Sequence, residues 1–263
     1  MQLAIPKIMH LHFQVQGDGH PLIILHGFLG SSDNWRAMSK RLAARYTVFA
    51  MDLRNHGQSP HSDVMNYPVM AEDLREFVDE HAVAKAFLLG HSMGGKVAMQ
   101  FATEFSDCVE KLAIVDITPK SYPPSHWPLL TALQNLDTSA LKTFADADAA
   151  LAPAVAESAL RQFLLKNLTR DPGGGFRWRI ALDSITANYD ELIKPVATRN
   201  TFDKPACFLR AGRSNFVEEK DLALIRKSFP RAEMRTIANA GHWLHIEAPD
   251  EFYRAVTEFL AAP

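Results

Sequence analysis

The stretch GHSMGGKVAM, residues 90–99, admits two incompatible chemistries. Read as G-x-S-x-G, it lifts Ser92 onto a sharp strand-to-helix turn, ready to attack a carbonyl. Read as G-x-x-x-x-G-K, it wraps backbone N–H groups and Lys96 around a phosphate. Both readings need a strand, a glycine-rich turn and a helix. The apolar run AKAFLLG before it and the helical pattern of SMGGKVAMQFATEF supply that context for either. One position decides against the phosphate. The residue after Lys96 is Val97, where a Ser or Thr hydroxyl should hold magnesium. Asp116, at the end of KLAIVD, imitates the second acid of a nucleotide site but does not repair that loss.

Working outward, PLIILHG, YTVFAMD, AKAFLLG and KLAIVDI read as short buried strands, each followed or preceded by a helical segment. SSDNWRAMSKRLAARY and MAEDLREFVDEHA are helices, the latter with Met70, Leu74, Phe77 and Val78 on one face. HLHFQVQ reads as a strand that ends at GDG in a hairpin turn. Strand–helix alternation implies an α/β fold with a mostly parallel sheet and helices on both faces. The alternation stops near Thr118 and resumes at ACFLRAG, then runs through DLALIRKSF and AEMRTIA to EFYRAVTEFLAA. The simplest account is a core of residues 1–118 and 195–263, interrupted by a helical cap at 119–194. An insertion there sits over the carboxyl edge of the sheet, where ligands of open α/β sheets bind. The glycines of DPGGGF, with no strand before them and no clear helix after, read as a turn within the cap.

A serine hydroxyl needs a base, and the base needs an orienting group. Of the eleven histidines, His242 in NAGHWLH stands just after the last strand and can reach over the sheet to Ser92. His245 reads as a structural hydrogen-bonder and His91 as a residue that shapes the turn. HGFLG follows the first long strand; there the N–H of Phe28 can point at a reacting oxygen. The N–H of Met93, opening the next helix, is a second oxyanion donor. Asp52, Arg54, Asn55 and His56 in DLRNHGQS read chiefly as a loop held by its own polar groups.

These strings, HGFLG, DLRNHGQS, GHSMGG and AGHW, resemble the α/β-hydrolase superfamily in order and interval. More narrowly, DLRNHGQSP, NYPVMAEDL, GHSMGGK and DITP resemble the small bacterial YbfF-type esterases. The resemblance implies an inserted helical cap, ester hydrolysis and thioester hydrolysis of acyl-CoA. In the wider superfamily the triad acid lies in a Gly-x-x-Asp turn after the cap. Here that turn reads GRSNFVEE, and Asn215 fills the slot. The assignment goes to Asp116, which ends the strand KLAIVDI at the same edge; the narrower resemblance implies the same residue. Glu218, Glu219 and Asp221 are the alternatives, with Asn215 as a neutral orienter after them.

Within the cap, Trp127, Phe163, Trp178 and Tyr189 are candidates to line an apolar substrate slot. Arg161, Lys166, Arg170, Arg177 and Arg179 could meet coenzyme A phosphates at its mouth. The expected partner is a small-molecule ester or thioester. The formal net charge of −2 leaves no electrostatic footprint for nucleic acid or an anionic membrane. Neither a metal nor an organic cofactor is called for. Cys108 and Cys207 read as buried free thiols, which fits a reducing compartment. MQLAIPKIMHLHFQ lacks the pattern of a signal peptide, and cytoplasm is the expected location. The remaining readings are a cofactor-free C–C bond hydrolase or lyase, a perhydrolase, and a non-catalytic receptor on the same scaffold.

Overall fold

The computed structural model describes residues 9–262. The first eight residues of the stretch read against a signal peptide lie outside the described residues. The chain forms an α/β fold around a seven-stranded sheet. Its strands are β1 (Phe13–Gln16), β2 (His20–Leu25), β3 (Tyr46–Met51), β4 (Ala86–His91), β5 (Val109–Val115), β8 (Ala206–Ala211) and β9 (Ala232–Ile237). Strands β6 (Leu168–Arg170) and β7 (Phe176–Trp178) form a separate hairpin. The order in the large sheet is β1-β3-β2-β4-β5-β8-β9. Only the β1–β3 pair is antiparallel; the others are parallel.

The helices on the sheet are α1 (Arg36–Leu42), α2 (Tyr67–Glu80), α3 (Met93–Glu104), α9 (Asp221–Ile225) and α11 (Pro249–Ala261), with one-turn α10 (Leu244–Glu247). Alternation along each strand divides the core in two. Ile23, Leu25, Leu88, Leu112 and Ile114 pack with α2 and α3 on one face. Leu22, Ile24, Leu89, Ala113 and Val115 pack with α1 and α11 on the other. Burial on both faces is why the strands read as unbroken apolar runs rather than alternating ones.

Between β5 and β8 the chain forms α4 (Trp127–Gln134), α5 (Phe144–Leu151), α6 (Ser158–Leu165), α7 (Leu182–Ala187) and α8 (Tyr189–Ile193) as well as the β6–β7 hairpin. Leu130, Leu133, Leu164 and Ile185 in this stretch are buried in one apolar cluster with the residues of α2 and α3. Polar ties add to it. Asn167 donates from Nδ2 to the Leu29 carbonyl at 2.8 Å, and the Ala181 N–H to the Asn55 carbonyl at 3.0 Å. The Tyr67 hydroxyl donates to the Leu192 carbonyl.

Two local readings of the sequence are corrected. The turn at Gly17-Asp18-Gly19 is not a hairpin between neighbours, because β1 pairs with β3 and β2 lies on the far side of β3. The turn passes over the start of β3. A Cβ on Gly17 would meet the Tyr46 carbonyl oxygen at 2.1 Å, so the glycine answers a close backbone approach. The DPGGG glycines do follow a strand: they close the β6–β7 hairpin, with Gly174 and Gly175 at φ of 105° and 71°. Three-residue strands are too short to show a period of two.

Candidate active site

Strand β4 delivers the chain to Ser92, whose φ of 51° and ψ of −120° lie outside the regions open to most L-residues. The turn is held because α3 starts immediately and presses against the sheet. A Cβ on Gly94 would stand 2.4 Å from the His26 carbonyl oxygen, and one on Gly90 would stand 2.4 Å from the Gly94 carbonyl oxygen. The glycines therefore let helix and strands approach until the serine is forced upright. Strain of this kind costs about 1–3 kcal/mol and persists only where surroundings over-determine it.

The acid side is built with similar tension. Asp116 directly follows β5, has a φ of 48° and is fully buried. Its N–H donates to the Leu209 carbonyl at 2.8 Å, pinning it to β8. One carboxylate oxygen, Oδ1, accepts the Ala211 N–H at 3.1 Å. The other, Oδ2, accepts the Ser214 hydroxyl at 2.5 Å and faces His242 Nδ1 at 2.8 Å. With Nδ1–H given to Asp116, Nε2 is the basic nitrogen of His242. The ring is sandwiched by packing as well. Phe216 stacks on it at 4.2 Å between centroids, and His91 Nε2 donates to the His242 carbonyl at 2.8 Å.

The three alternative acids are engaged elsewhere. Glu218 pairs with Lys220 at 2.7 Å, Glu219 with Arg210 at 3.4 Å, and Asp221 with Lys120 at 2.7 Å. Asn215 stands beside a cavity rather than at the His242–Asp116 pair. Its neighbour Ser214 is the turn residue that reaches the carboxylate.

HGFLG is held from behind by two imidazoles. His26 donates from Nδ1 to the Gly27 carbonyl at 2.8 Å and accepts the Leu53 N–H at Nε2 at 3.0 Å. His56 accepts the Leu29 N–H at 3.2 Å and donates to the Arg54 carbonyl at 2.9 Å. Burial keeps both rings neutral, lowering His26 and pushing His56 down to about 3. The Phe28 N–H takes part in no hydrogen bond among the described residues. The Met93 N–H, first of α3, has no intrahelical carbonyl to meet. DLRNHGQS is structural, as its polar groups suggested: Arg54 forms a buried two-pronged pair with Asp73, each contact 2.6 Å.

Two cavities meet at Ser92. The narrower, about 90 Å³, is shared by Ser92, His242, Leu129, Leu160, Phe163 and Trp243. The wider, about 220 Å³, is lined by Met93, Lys96, Tyr122, Tyr189, Asn215 and Phe216 together with Ser92. Phe28 and His126 border both. Of the four aromatic residues assigned to the slot, Phe163 and Tyr189 line it. Trp127 and Trp178 do not: Trp127 leans edge-on against Tyr189 with its outer face exposed, and Trp178 lies in β7 beside a separate surface cleft. Helical spacing shows which side of a helix is buried, not which space it borders.

The lysines and arginines between residues 119 and 194 line neither cavity. Arg161 is paired with Asp148 at 2.8 Å, Arg177 faces Asp171 at 3.6 Å, Arg179 faces Asp33 at 3.6 Å, and Arg170 covers the Phe176 ring. His245 is not a hydrogen-bonder: both ring nitrogens are buried without a partner among the described residues. It stacks on Trp35 at 4.1 Å and 8°. Sequence reading passed over Ser214, Phe216 and His126. The first lay in the turn searched only for an acid, and the last in the irregular run YPPSHWP. Among the described residues no cluster of three or more His, Cys, Asp or Glu side chains could hold a metal ion.

Comparison with known proteins agrees with this architecture. A family model described as alpha/beta hydrolase fold matches residues 20–249. The chain belongs to the α/β-hydrolase family. It is 37% identical over 248 residues to the sn-1-specific diacylglycerol lipase ABHD11 of Mus musculus, covering 91% of this chain and 80% of that one. It is 34% identical over 248 residues to esterase YbfF of Escherichia coli, covering 94% and 95%. A solved marine microorganism esterase superposes with a TM-score of 0.93 at 39% identity, over 95% of this chain and 99% of that one. These relatives and the fold make the chain an esterase-type hydrolase. Among the described residues no helix is long and apolar enough to cross a membrane.

Proposed function

We propose that the chain cleaves carboxylic esters through an acyl-enzyme, with Ser92, His242 and Asp116 as its catalytic triad. The observation that carries this reading is the 2.8 Å contact between His242 Nδ1 and buried Asp116, beside a serine strained upright where two cavities meet. Nε2 of His242 takes the Ser92 proton as Oγ bonds to the ester carbon. The negative charge that develops on the carbonyl oxygen falls to the N–H groups of Phe28 and Met93, aided by the positive end of α3. The carbon–oxygen bond then breaks, and His242 returns the proton to the leaving alkoxide. Water repeats the cycle in reverse and frees the acid.

The leaving alcohol must be protonated by His242, so it belongs in the narrower cavity that His242 lines. The acyl group then belongs in the wider one. A thioester can follow the same path, but the commitment of the cap arginines to partners within the protein offers coenzyme A phosphates no ready anchor. Esters are therefore the primary substrates in this reading. A panel of esters and acyl-CoA thioesters of graded length, run on wild type and Ser92→Ala, tests it. Ester turnover should fall by about 10⁴- to 10⁶-fold in Ser92→Ala, with labelling by a fluorophosphonate lost. Turnover retained by that variant, with its fold intact, would overturn the assignment.

A further inference from the structure

The wider cavity contains a group that ester hydrolysis as described does not use. Lys96 lies one helical turn after Ser92 and is only 1% exposed. Its Nζ donates to the Lys194 carbonyl at 2.6 Å. It also lies 5.0 Å from the ring centre of Tyr122 and 5.3 Å from that of Tyr67, both of which border the same cavity. An ammonium has three donors and no acceptor. One donor is used, and no carboxylate among the described residues lies within ion-pair distance of it. Burial with no opposing charge lowers its pKa to about 7. A buried cation without a counter-charge is costly to keep. The cavity wall near it is otherwise aromatic and aliphatic, with Ile117, Leu192 and Ile193 beside the tyrosines.

We propose that the wider cavity is a subsite for acyl groups that carry a second, anionic end, and that Lys96 Nζ binds the distal carboxylate of short dicarboxylic half-esters. The proposal rests on the reading of Ser92 as nucleophile, which places the acyl chain in this cavity. Ser92 caps the start of α3, Lys96 stands in its first turn, and both line this cavity. A glutaryl group bound through its carbonyl at Ser92 extends three methylenes and a carboxylate into it. The tyrosine rings around Nζ favour a cation and a chain of apolar carbons together. Asn215, at the border of the cavity, adds an amide donor that a carboxylate in its place would not supply.

The test compares ethyl hydrogen glutarate with its neutral counterpart ethyl glutaramate, with ethyl hexanoate as the plain ester. Wild type should prefer the half-ester over the amide by about 10- to 100-fold in kcat/KM, the range expected of a hydrogen bond to a charged group. Lys96→Met should bring that ratio to within about threefold of one. A lysine that merely props the fold lowers both rates and leaves the ratio intact; that result overturns the proposal. A wild-type ratio near one also overturns it, without needing the variant to fold. Turnover of ethyl hexanoate separates the two levels. If it is Ser92-dependent while the half-ester is not preferred, the subsite fails and the esterase stands. If no ester is consumed, both readings fall.

Discussion

The carboxyl edge of the sheet and the chain folded over it fix their side chains by opposite means. Among the described residues, five non-glycine positions have positive φ, and four of them, Leu29, Asn55, Ser92 and Asp116, stand at this edge. Each is over-determined by hydrogen bonds or by glycines that admit a close neighbour. Between residues 119 and 194 the only positive φ values belong to Gly174 and Gly175. There, short helices in ordinary conformations present Leu129, Leu160 and Phe163 through packing, and Tyr189 through packing and a 2.9 Å hydrogen bond from the His126 N–H. Strain placed by a rigid scaffold sets where a bond can break, and loosely specified apolar packing sets what is admitted. The two regions should therefore respond differently to substitution.

The sharpest break in that contrast is Asp116→Asn. The amide oxygen can still accept the Ala211 N–H, and the NH2 in place of the other oxygen can donate to the Ser214 hydroxyl oxygen, so the fold should survive. It cannot stabilise an imidazolium, and it can impose the wrong tautomer on His242. Turnover of every ester should fall by about 10⁴-fold, with a circular dichroism spectrum and melting point close to wild type. A variant that keeps its rate would transfer the role to another acid, and the strained position of Asp116 would then need a different explanation.

Next in size is a hydrogen bond that joins the two regions at the HGFLG loop. Asn167, between β5 and β8, is 2% exposed and donates to the carbonyl of Leu29, the residue after Phe28. Asn167→Ala leaves that carbonyl buried without its donor, at a cost of about 1–3 kcal/mol of stability. If the edge depends on the chain folded over it for its geometry, kcat should fall about tenfold on short and long esters alike, with KM little changed. If the edge is self-sufficient, only the melting point will move. Steady-state kinetics on two chain lengths distinguishes these outcomes.

The same contrast explains what could be read before the structure. Ser92 and His242 were legible because glycine-rich strings mark backbone that must turn sharply at a strand end. Asp116 was legible because an acid closes an apolar run beside the strand that leads to Ser92. The sheet was legible because strands buried on both faces are continuously apolar. Ser214 and Phe216, which hold Asp116 and His242, left no such mark: a hydroxyl and an aromatic ring in a turn look like any others. The stretch 119–194 gave away its helices but not their targets. Trp178 and Phe163 are equally apolar, and only the tertiary arrangement sends one to an outer cleft and the other to Ser92. The β1 strand misled for a related reason, since a glycine pair shows that the chain turns, not which strand it then joins.

The smallest effect at neutral pH concerns the neutral imidazoles packed behind the edge. His245 is held by burial at a pKa of about 3 and has no hydrogen bond to lose among the described residues. In the unfolded chain it takes up a proton near pH 6.5. Its folded pKa is therefore depressed, and the unfolded state binds the extra proton at every pH between about 3 and 6.5. Stability is fully present above pH 6.5 and declines as the pH falls through that window, by about 1.4 kcal/mol per unit for this one group. His245→Phe removes the titration and keeps a flat ring against Trp35. At pH 8 its stability should lie within about 1 kcal/mol of wild type, since no hydrogen bond is exchanged. Between pH 6 and 4 the variant should lose stability less steeply and unfold at a lower pH, as followed by urea midpoints across the series. His26 and His56 titrate in the same direction, so a residual slope must remain. Parallel curves for variant and wild type would mean that the His245 ring is hydrated and protonates freely in the fold, and that the edge is less dry than its packing indicates.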